Sequence, residues 1–463
     1  MMDSVTVRRY RCFGEEQAAR LAPITLFVGE NSTGKTSLAA MLRALWDVTY
    51  AERTPDFKES PYDLGGFDEI VNHRGGRAGR ADSFEASFDF RVRSLPKSRS
   101  RASLATVEVA FAKQWEAPVP VRRRIACDGY WVEQALDSDR NLRIEVGTPR
   151  KQWSRVYPET GRRVVGDHSA ETLPSMMMFR HLLRSEFRTP GSDDRERDLP
   201  ELTEQEEEAL RSLVANLGRL SVASRRSTRS RRPFAGAPTR SRPRRTYDPV
   251  PVMPDAEGDY VPTYLAGLSM RDPAAWERLK DSLEKFGASA GLFDEMKVRL
   301  LGRTAVDPFQ IQVRKFNGSS KGPWRNLADV GYGVSQVLPV VTEILRTDAP
   351  EMMLLQQPEV HLHPSAEAAL GSLLCSAVAP RSRPRRQVVL ETHSDFIIDR
   401  ICMEIRDGTR GLAPDDVSIV YFERGGAGVR LHSIKVDSQG RLCDVPPSYR
   451  EFFLNESVRF LGA

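Results

Sequence analysis

Residues Gly29-Glu30-Asn31-Ser32-Thr33-Gly34-Lys35-Thr36 fit the pattern G-x-x-x-x-G-K-[ST], and their flanks restrict the fold they can serve. Ahead of them, Ile24 to Val28 is apolar and partly β-branched, as a buried strand is. Behind them, Leu38, Met41, Leu42 and Leu45 recur at helical spacing between Ser37 and Trp46. A strand, a glycine-rich loop and a helix in that order let backbone N–H groups wrap a phosphate. The helix N-terminus adds the positive end of its dipole. In such a loop Lys35 reaches the β- and γ-phosphates, and Thr36 offers its hydroxyl to Mg²⁺, with Ser37 next in the same turn.

With 463 residues, the chain has room for two or three domain-sized units. Hydrophobic residues at 40% and charged residues at 28% exclude wholesale disorder. No apolar run reaches the roughly 18 to 20 residues of a membrane span, and Met1 to Phe13 lacks the apolar core of a secretory signal. Cys12, Cys127, Cys375, Cys402 and Cys443 are scattered without a C-x-x-C pair, so buried thiols in a reducing cytoplasm are expected, with no disulfide framework or zinc site. The net charge of +5 hides nine arginines and no acid between Arg225 and Arg245, just after an acidic stretch from Ser192 to Glu208. Such a run suits phosphates, DNA included, or a solvated loop.

Along the chain, period-two alternation over 83–147 predicts half-exposed antiparallel strands. Helices are expected over 171–220, opened by the capping box Thr203-x-x-Glu206, and over about 273–300. From 326 the pattern is dense α/β, with strands at Met352 to Leu355, Val388 to Glu391 and Val417 to Phe422. Three motifs lie there. Gly331-Tyr332-Gly333-Val334-Ser335-Gln336 is a small polar turn feeding a helix over Val337 to Leu345. Gln357-Pro358-Glu359-Val360-His361-Leu362-His363-Pro364 follows a buried strand. Glu391-Thr392-His393-Ser394-Asp395 ends the next one.

Strand and phosphate loop, long insertion, signature turn, second strand, strand-end histidine: this order resembles the ABC-type ATPase heads of SMC/Rad50-like proteins. It is most similar to prokaryotic OLD-like "AAA" ATPases with G-[FY]-G-V-S-Q, Q-P-E-x-H-L-H-P and E-T-H-S-D. The segments Ala237 to Tyr247, Val417 to Phe422 and Pro446 to Phe453 also look like family segments. The resemblance covers roughly 1–75 and 235–463. It implies an α/β fold, an ABC-type P-loop ATPase head with a mixed central sheet, an antiparallel β subdomain and a helical insertion. The implied divisions are 1–150 for the first half of the head and its β subdomain, 151–325 for a helical and Arg-rich insertion returning to the head near 235–250, and 326–463 for the second half and tail.

The resemblance further implies that two heads dimerise around ATP and Mg²⁺, phosphate loop to signature turn. Gly29 to Ser37 would hold the nucleotide, and Gly333, Ser335 and Gln336 of the signature would meet it in trans. His393 would be the switch histidine, and His363 would lie at the dimer seam. Glu359, His361 and His363 are metal-ligand types, but their strand-end, proline-flanked setting favours the seam. Family members usually carry an acid just before Pro-Glu, which holds Mg²⁺ and orients water. Here Gln356 and Gln357 stand there, leaving Gln356 a weak metal contact and Glu359 the nearest acid, set off in sequence. A naturally weakened site and a Glu→Gln exchange that traps ATP would both leave this residue. Either way, ATP binding is expected with hydrolysis slow or disabled.

Only 38 residues follow Gly425, too few for a Toprim domain, and Asn72-His73-Arg74 lacks the rest of an HNH site, so no nuclease is expected in the chain. By resemblance to PARIS- and Septu-type systems, the expected role is a cytoplasmic sensor and scaffold in anti-phage defence. It would hold a separate Toprim or HNH effector until a phage-derived trigger arrives. The alternative is a Rad50/SMC-like DNA-maintenance ATPase that clamps DNA. The absence of sustained heptads over 150–300 weakens it.

Overall fold

A computed structural model describes residues 1–76, 79–93, 102–137, 139–157, 203, 206, 208–213, 232–250, 253–304, 306–382, 385–426, 428–449, 451 and 458–459. The chain divides into two compact units. One comprises Met1–Leu21, Asn31–Arg232 and Phe422–Leu431; the other comprises Ala22–Glu30, Pro233–Tyr421 and His432–Ala463.

In chain order the strands are β1 (Met2–Arg8), β2 (Gln17–Arg20), β3 (Ile24–Gly29), β4 (Ser83–Arg93), β5 (Ala102–Gln114), β6 (Ala117–Cys127), β7 (Tyr130–Leu136), β8 (Leu142–Gly147), β9 (Gln152–Tyr157) and β10 (Phe234–Gly236). They continue as β11 (Glu295–Leu300), β12 (Phe309–Arg314), β13 (Phe316–Asn317), β14 (Ser320–Lys321), β15 (Arg325–Asn326), β16 (Met352–Gln356), β17 (Gln387–Glu391), β18 (Val417–Gly425), β19 (Gly428–Val436) and β20 (Leu442–Cys443).

The first unit holds an eight-stranded antiparallel sheet in the order β2-β1-β4-β5-β6-β7-β8-β9. The antiparallel strands expected over 83–147 are present, and the sheet extends to Tyr157. Its inward residues build an aromatic core: the Phe84 ring stacks on Phe111 at 4.9 Å, with Tyr10, Phe57 and Phe67 around it. The helix Lys35–Trp46 also lies in this unit and runs into a π-helical turn, Asp47–Ala51. There the buried Asp47 carboxylate accepts two hydrogen bonds from the Arg232 guanidinium. Of the helix expected over 171–220, Thr203, Glu206 and 208–213 are described, and the capping box is formed. Thr203 N–H donates to Glu206 Oε2 at 2.9 Å, and Glu206 N–H donates to Thr203 Oγ1 at 3.3 Å. The rest of that segment, and residues 225–231 of the arginine run, lie outside the described residues.

The second unit is built on a seven-stranded sheet, β10-β16-β17-β3-β18-β19-β20. Strands β10, β16, β17 and β3 are parallel. β16 and β17 are buried at every position, as are the first five residues of β3, which is why they read as continuous apolar runs. The helices Val261–Arg271, Pro273–Ser289, Tyr332–Leu345, Pro364–Val378 and Asp395–Asp407 supply the rest of its core.

Two expectations need correction. The helix predicted to reach about 300 ends at Ser289. Gly291 takes a φ of 67°, and 295–300 pairs with 309–314 as β11 and β12. Pairing in a three-stranded sheet with β12 and β15, which buries Met296, overrode the helical reading. The signature is also not a turn ahead of its helix. The helix begins at Tyr332, so Gly333, Ser335 and Gln336 lie in its first turns.

Candidate functional site

Within the second unit, register sets three parallel strand ends side by side. Glu391 pairs with Phe27 on one side and with Gln356 on the other. The carboxyl ends of β3, β17 and β16 therefore share one edge, the place where open α/β sheets bind ligands. The phosphate loop leaves from that edge at Gly29.

From Asn31 the loop belongs to the first unit. Ser32 and Gly34 adopt positive φ, 59° and 91°. At Gly34 this conformation excludes a side chain: a Cβ would fall 2.4 Å from Cys12 Sγ. The loop's carbonyls face protein donors. The Arg424 guanidinium donates to Ser32 O at 2.9 Å and reaches Asn31 O at 3.5 Å, while Cys12 Sγ lies 3.5 Å from Thr33 O. Burial pushes the Cys12 thiol up to about 11, so it stays a neutral donor. Tyr10 Oη donates to Ser37 O, pinning the first helical turn at 2.8 Å. Lys35 is buried, Thr36 half-buried, and Asn31 and Ser32 exposed. A left-handed loop with its carbonyls occupied, opening a helix of twelve residues, fits a phosphate chain.

The second group of residues forms one web inside the second unit. Gln357 N–H donates to Glu391 O, joining the strand ends at 2.8 Å. Gln357 then turns left-handed, with a φ of 39°, and His361 does so again at 69°. This double reversal carries Glu359 back to the edge despite its offset in sequence. Its Oε1 accepts from Thr392 Oγ1 at 2.9 Å and from His393 N–H at 2.8 Å. Its Oε2 and the Gln356 Nε2 are buried with no hydrogen-bond partner among the described residues. Burial raises the Glu359 carboxyl above the ordinary range, opposed by those donors. Arg240, from the arginine-rich segment, donates to the carbonyl oxygens of Gln356 and Gln357 at 3.2 to 3.3 Å. Its guanidinium is pushed down to about 10 by burial, with Glu359 opposing. Ser394 Oγ donates to the Glu367 carboxylate, tying the segment after β17 to the helix Pro364–Val378.

The signature lies against this web. Gly333 packs so closely on the His361 carbonyl that a Cβ would sit 2.7 Å from its oxygen. Tyr332 meets the His361 ring edge-on at 5.0 Å. Ser335 Oγ donates to Tyr332 O within the helix, and the buried Gln336 amide brackets the Arg240 backbone. His363 caps the helix Pro364–Val378 through Nδ1, and both His363 and His393 are exposed.

Among the described residues, no cluster of His, Cys, Asp and Glu has the makings of a metal site. Thr36, in the first unit, and Gln356, in the second, are each neutral, so either would leave most ligands of Mg²⁺ to phosphate oxygens and water, as is usual for this ion. Two contributors were not legible in the motifs. Arg424 lies far along the chain from the loop it supports and carries no local signal. Arg240 sits in the family-like segment, which was the available clue.

Among the described residues, no helix is long and apolar enough to cross a membrane. In sequence, none of the curated proteins matches the chain. Among solved structures, the chain resembles the SMC head domain from Thermotoga maritima, with a TM-score of 0.40 and 11% identity over 94% of this chain and 99% of that one. It also resembles an SMC head bound to the C-terminal winged-helix domain of ScpA, with a TM-score of 0.42 and 9% identity over 94% and 97%. A third likeness is the SMC head with an extended coiled coil bound to the C-terminal domain of ScpA derived from Pyrococcus furiosus, with a TM-score of 0.41 and 10% identity over 99% of each chain. The family model described as "AAA domain, putative AbiEii toxin, Type IV TA system" matches residues 24–399, from the strand before the phosphate loop to the helix after His393. The chain belongs to this family of AAA ATPase domains.

Proposed function

We propose that this chain is a slow ATPase that works as a switch, pairing head to head around ATP and controlling a separate effector. One observation carries the reading: the phosphate loop is complete, while the neighbouring strand end offers amides where an acid would speed hydrolysis. Gly29 to Ser37 hold the phosphates, Lys35 supplies the positive charge, and Thr36 faces the metal. Mg²⁺, when bound, offsets charge on the β- and γ-phosphate oxygens. His393 contacts the γ-phosphate or the attacking water, and Glu359 positions it by gripping its backbone N–H. Gly333, Ser335, Gln336 and His363 form the surface offered to the second copy.

The setting we propose is anti-phage defence, in the cytoplasm, with a Toprim or HNH nuclease as the partner and a phage-derived molecule as the trigger. Its support is the motif resemblance, together with a family description that names a toxin–antitoxin system. Light scattering with and without ATP tests the switch: the wild type should double in mass with ATP, and Lys35→Ala should not. Equal mass in both conditions for the wild type would refute it. Co-purification with the product of the adjacent gene tests the setting, and a permease partner would count against it.

A further inference from the structure

The three-stranded sheet β11-β12-β15 of the second unit turns one face to the core and carries charged and polar residues on the other. Met296, Ile311 and Val313 are buried. Register places Lys297 opposite Gln312, Arg299 opposite Gln310, and Asn326 beside Gln312 on the other face. Trp324, two residues before Asn326, shares that face. Lys297 Nζ lies 4.1 Å and Arg314 Cζ 4.3 Å from the centre of its ring. A cavity of roughly 630 Å³ is lined by Arg245, Gln310, Gln312, Trp324, Arg325 and the acid Asp329. Gln312 is buried in it and donates its amide to Gln310 Oε1 at 3.0 Å, while Arg325, opposite Val313, is exposed at the β15 edge.

Positive charge is in excess here. Glu295 pairs with Arg314 and Lys321, and Asp329 with Arg245. Among the described residues, Lys297, Arg299 and Arg325 have no acidic partner. Burial, and then the like charges of Arg299 and Arg314, hold the Lys297 ammonium below its ordinary range. Crowded like charge on a sheet face costs free energy that a bound anion removes. The same face carries an indole and two side-chain amides, groups that meet nucleobases. They line an open cavity on the sheet. A duplex hides its base edges in grooves that a projecting helix or ribbon must enter, and a recessed face cannot do so.

We infer that this sheet face and its β15 edge bind a single-stranded nucleic acid, with Lys297 and Arg299 of the face and Arg325 of the edge on its phosphodiesters and Trp324 and Gln310 on its bases. The inference stands apart from the nucleotide switch, since it uses none of the phosphate-loop or strand-end residues.

Fluorescence anisotropy of the full chain with labelled oligouridylate and oligothymidylate of about 12 nucleotides, and with a duplex of equal length, tests it. The single strands should bind more tightly than the duplex, with affinity falling as salt rises. Charge reversal in K297E/R299E/R325E should cut affinity by more than ~30-fold and flatten the log–log salt slope by about two. Trp324→Ala should cost about tenfold and Trp324→Phe much less. Thermal melts establish that the variants fold; should the triple variant not, the exposed single changes Arg299→Gln and Arg325→Gln carry the same test. Absence of single-strand binding near ~50 mM salt, unchanged binding in the folded variants, tighter binding of duplex, or displacement of the strand by an equal concentration of mononucleotide would each overturn the inference.

Discussion

The phosphate loop and the strand ends of β16 and β17 divide the chemistry of an ATPase unequally. The loop keeps every part it needs: two left-handed residues, a lysine, a threonine and a helix start. Binding phosphate rests on backbone N–H groups and one cation, so no side-chain acid is required there. The strand ends keep the architecture but carry amides at Gln356 and Gln357; of their acids, Glu391 is buried at the end of β17, and the half-buried Glu359 is engaged with Thr392 and His393. Hydrolysis needs charge to steady a metal and accept a proton, which an amide does not supply. The difference predicts a protein that holds nucleotide far better than it spends it.

The largest effect should come from the loop. Lys35→Ala removes the cation from the phosphate chain and should weaken ATP binding about 100-fold, the scale of losing a charge-assisted contact of roughly 3 kcal/mol. Isothermal titration with ATP measures it, and unchanged affinity would break the comparison at its stronger side. Gly34→Ala should follow, at about 10- to 30-fold. A left-handed alanine costs about 1 to 2 kcal/mol, and its Cβ meets Cys12 Sγ. The double change with Cys12→Ala should recover the steric part and leave the backbone part.

How much of this was legible before the structure depended on where the information sits. The loop was plain because strand, turn and helix are contiguous, and each residue is forced by local geometry. β3, β16 and β17 were plain because a strand buried on both faces is apolar throughout. Three features were hidden. The placing of Glu359 depends on two left-handed residues, Gln357 and His361, neither a glycine, which the sequence does not flag. The support from Arg424 is long-range. β11, by contrast, was misread because six residues with mixed polarity after a long helix extend a helical pattern as readily as they begin a ribbon.

The weaker side of the comparison is sharpened at Gln356 and Glu359. Gln356→Glu should raise ATP turnover at least tenfold, read by phosphate release, with ATP affinity little changed. No gain would mean that the missing charge is not what limits hydrolysis. Glu359→Ala leaves the His393 N–H and Thr392 hydroxyl without an acceptor and should cost about 1 to 3 kcal/mol of stability in urea. Glu359→Gln keeps an oxygen in place and should cost less than ~1 kcal/mol. If Glu359 only positions His393, turnover survives the glutamine change and not the alanine. If its charge takes part, both variants lose turnover alike.

The smallest effect tests whether buried acids matter away from the strand ends. Glu343 lies wholly buried in the signature helix, against Arg346. Burial pushes its carboxyl up to about 7, with Arg346 pulling the other way. A carboxyl raised on folding is neutral and comfortable below its unfolded value near 4.5, so its contribution to stability is full there. It is lost as pH rises through the folded value, over about pH 4.5 to 7, by roughly 3 kcal/mol at most. The urea midpoint of the wild type should therefore fall across that window, and Glu343→Gln should flatten the fall. A wild-type midpoint that rises over the same range would show that Arg346 keeps the carboxylate ionised. The buried charge of Glu343 would then be a fixed pair, in contrast to the neutral amides of Gln356 and Gln357 at the end of β16.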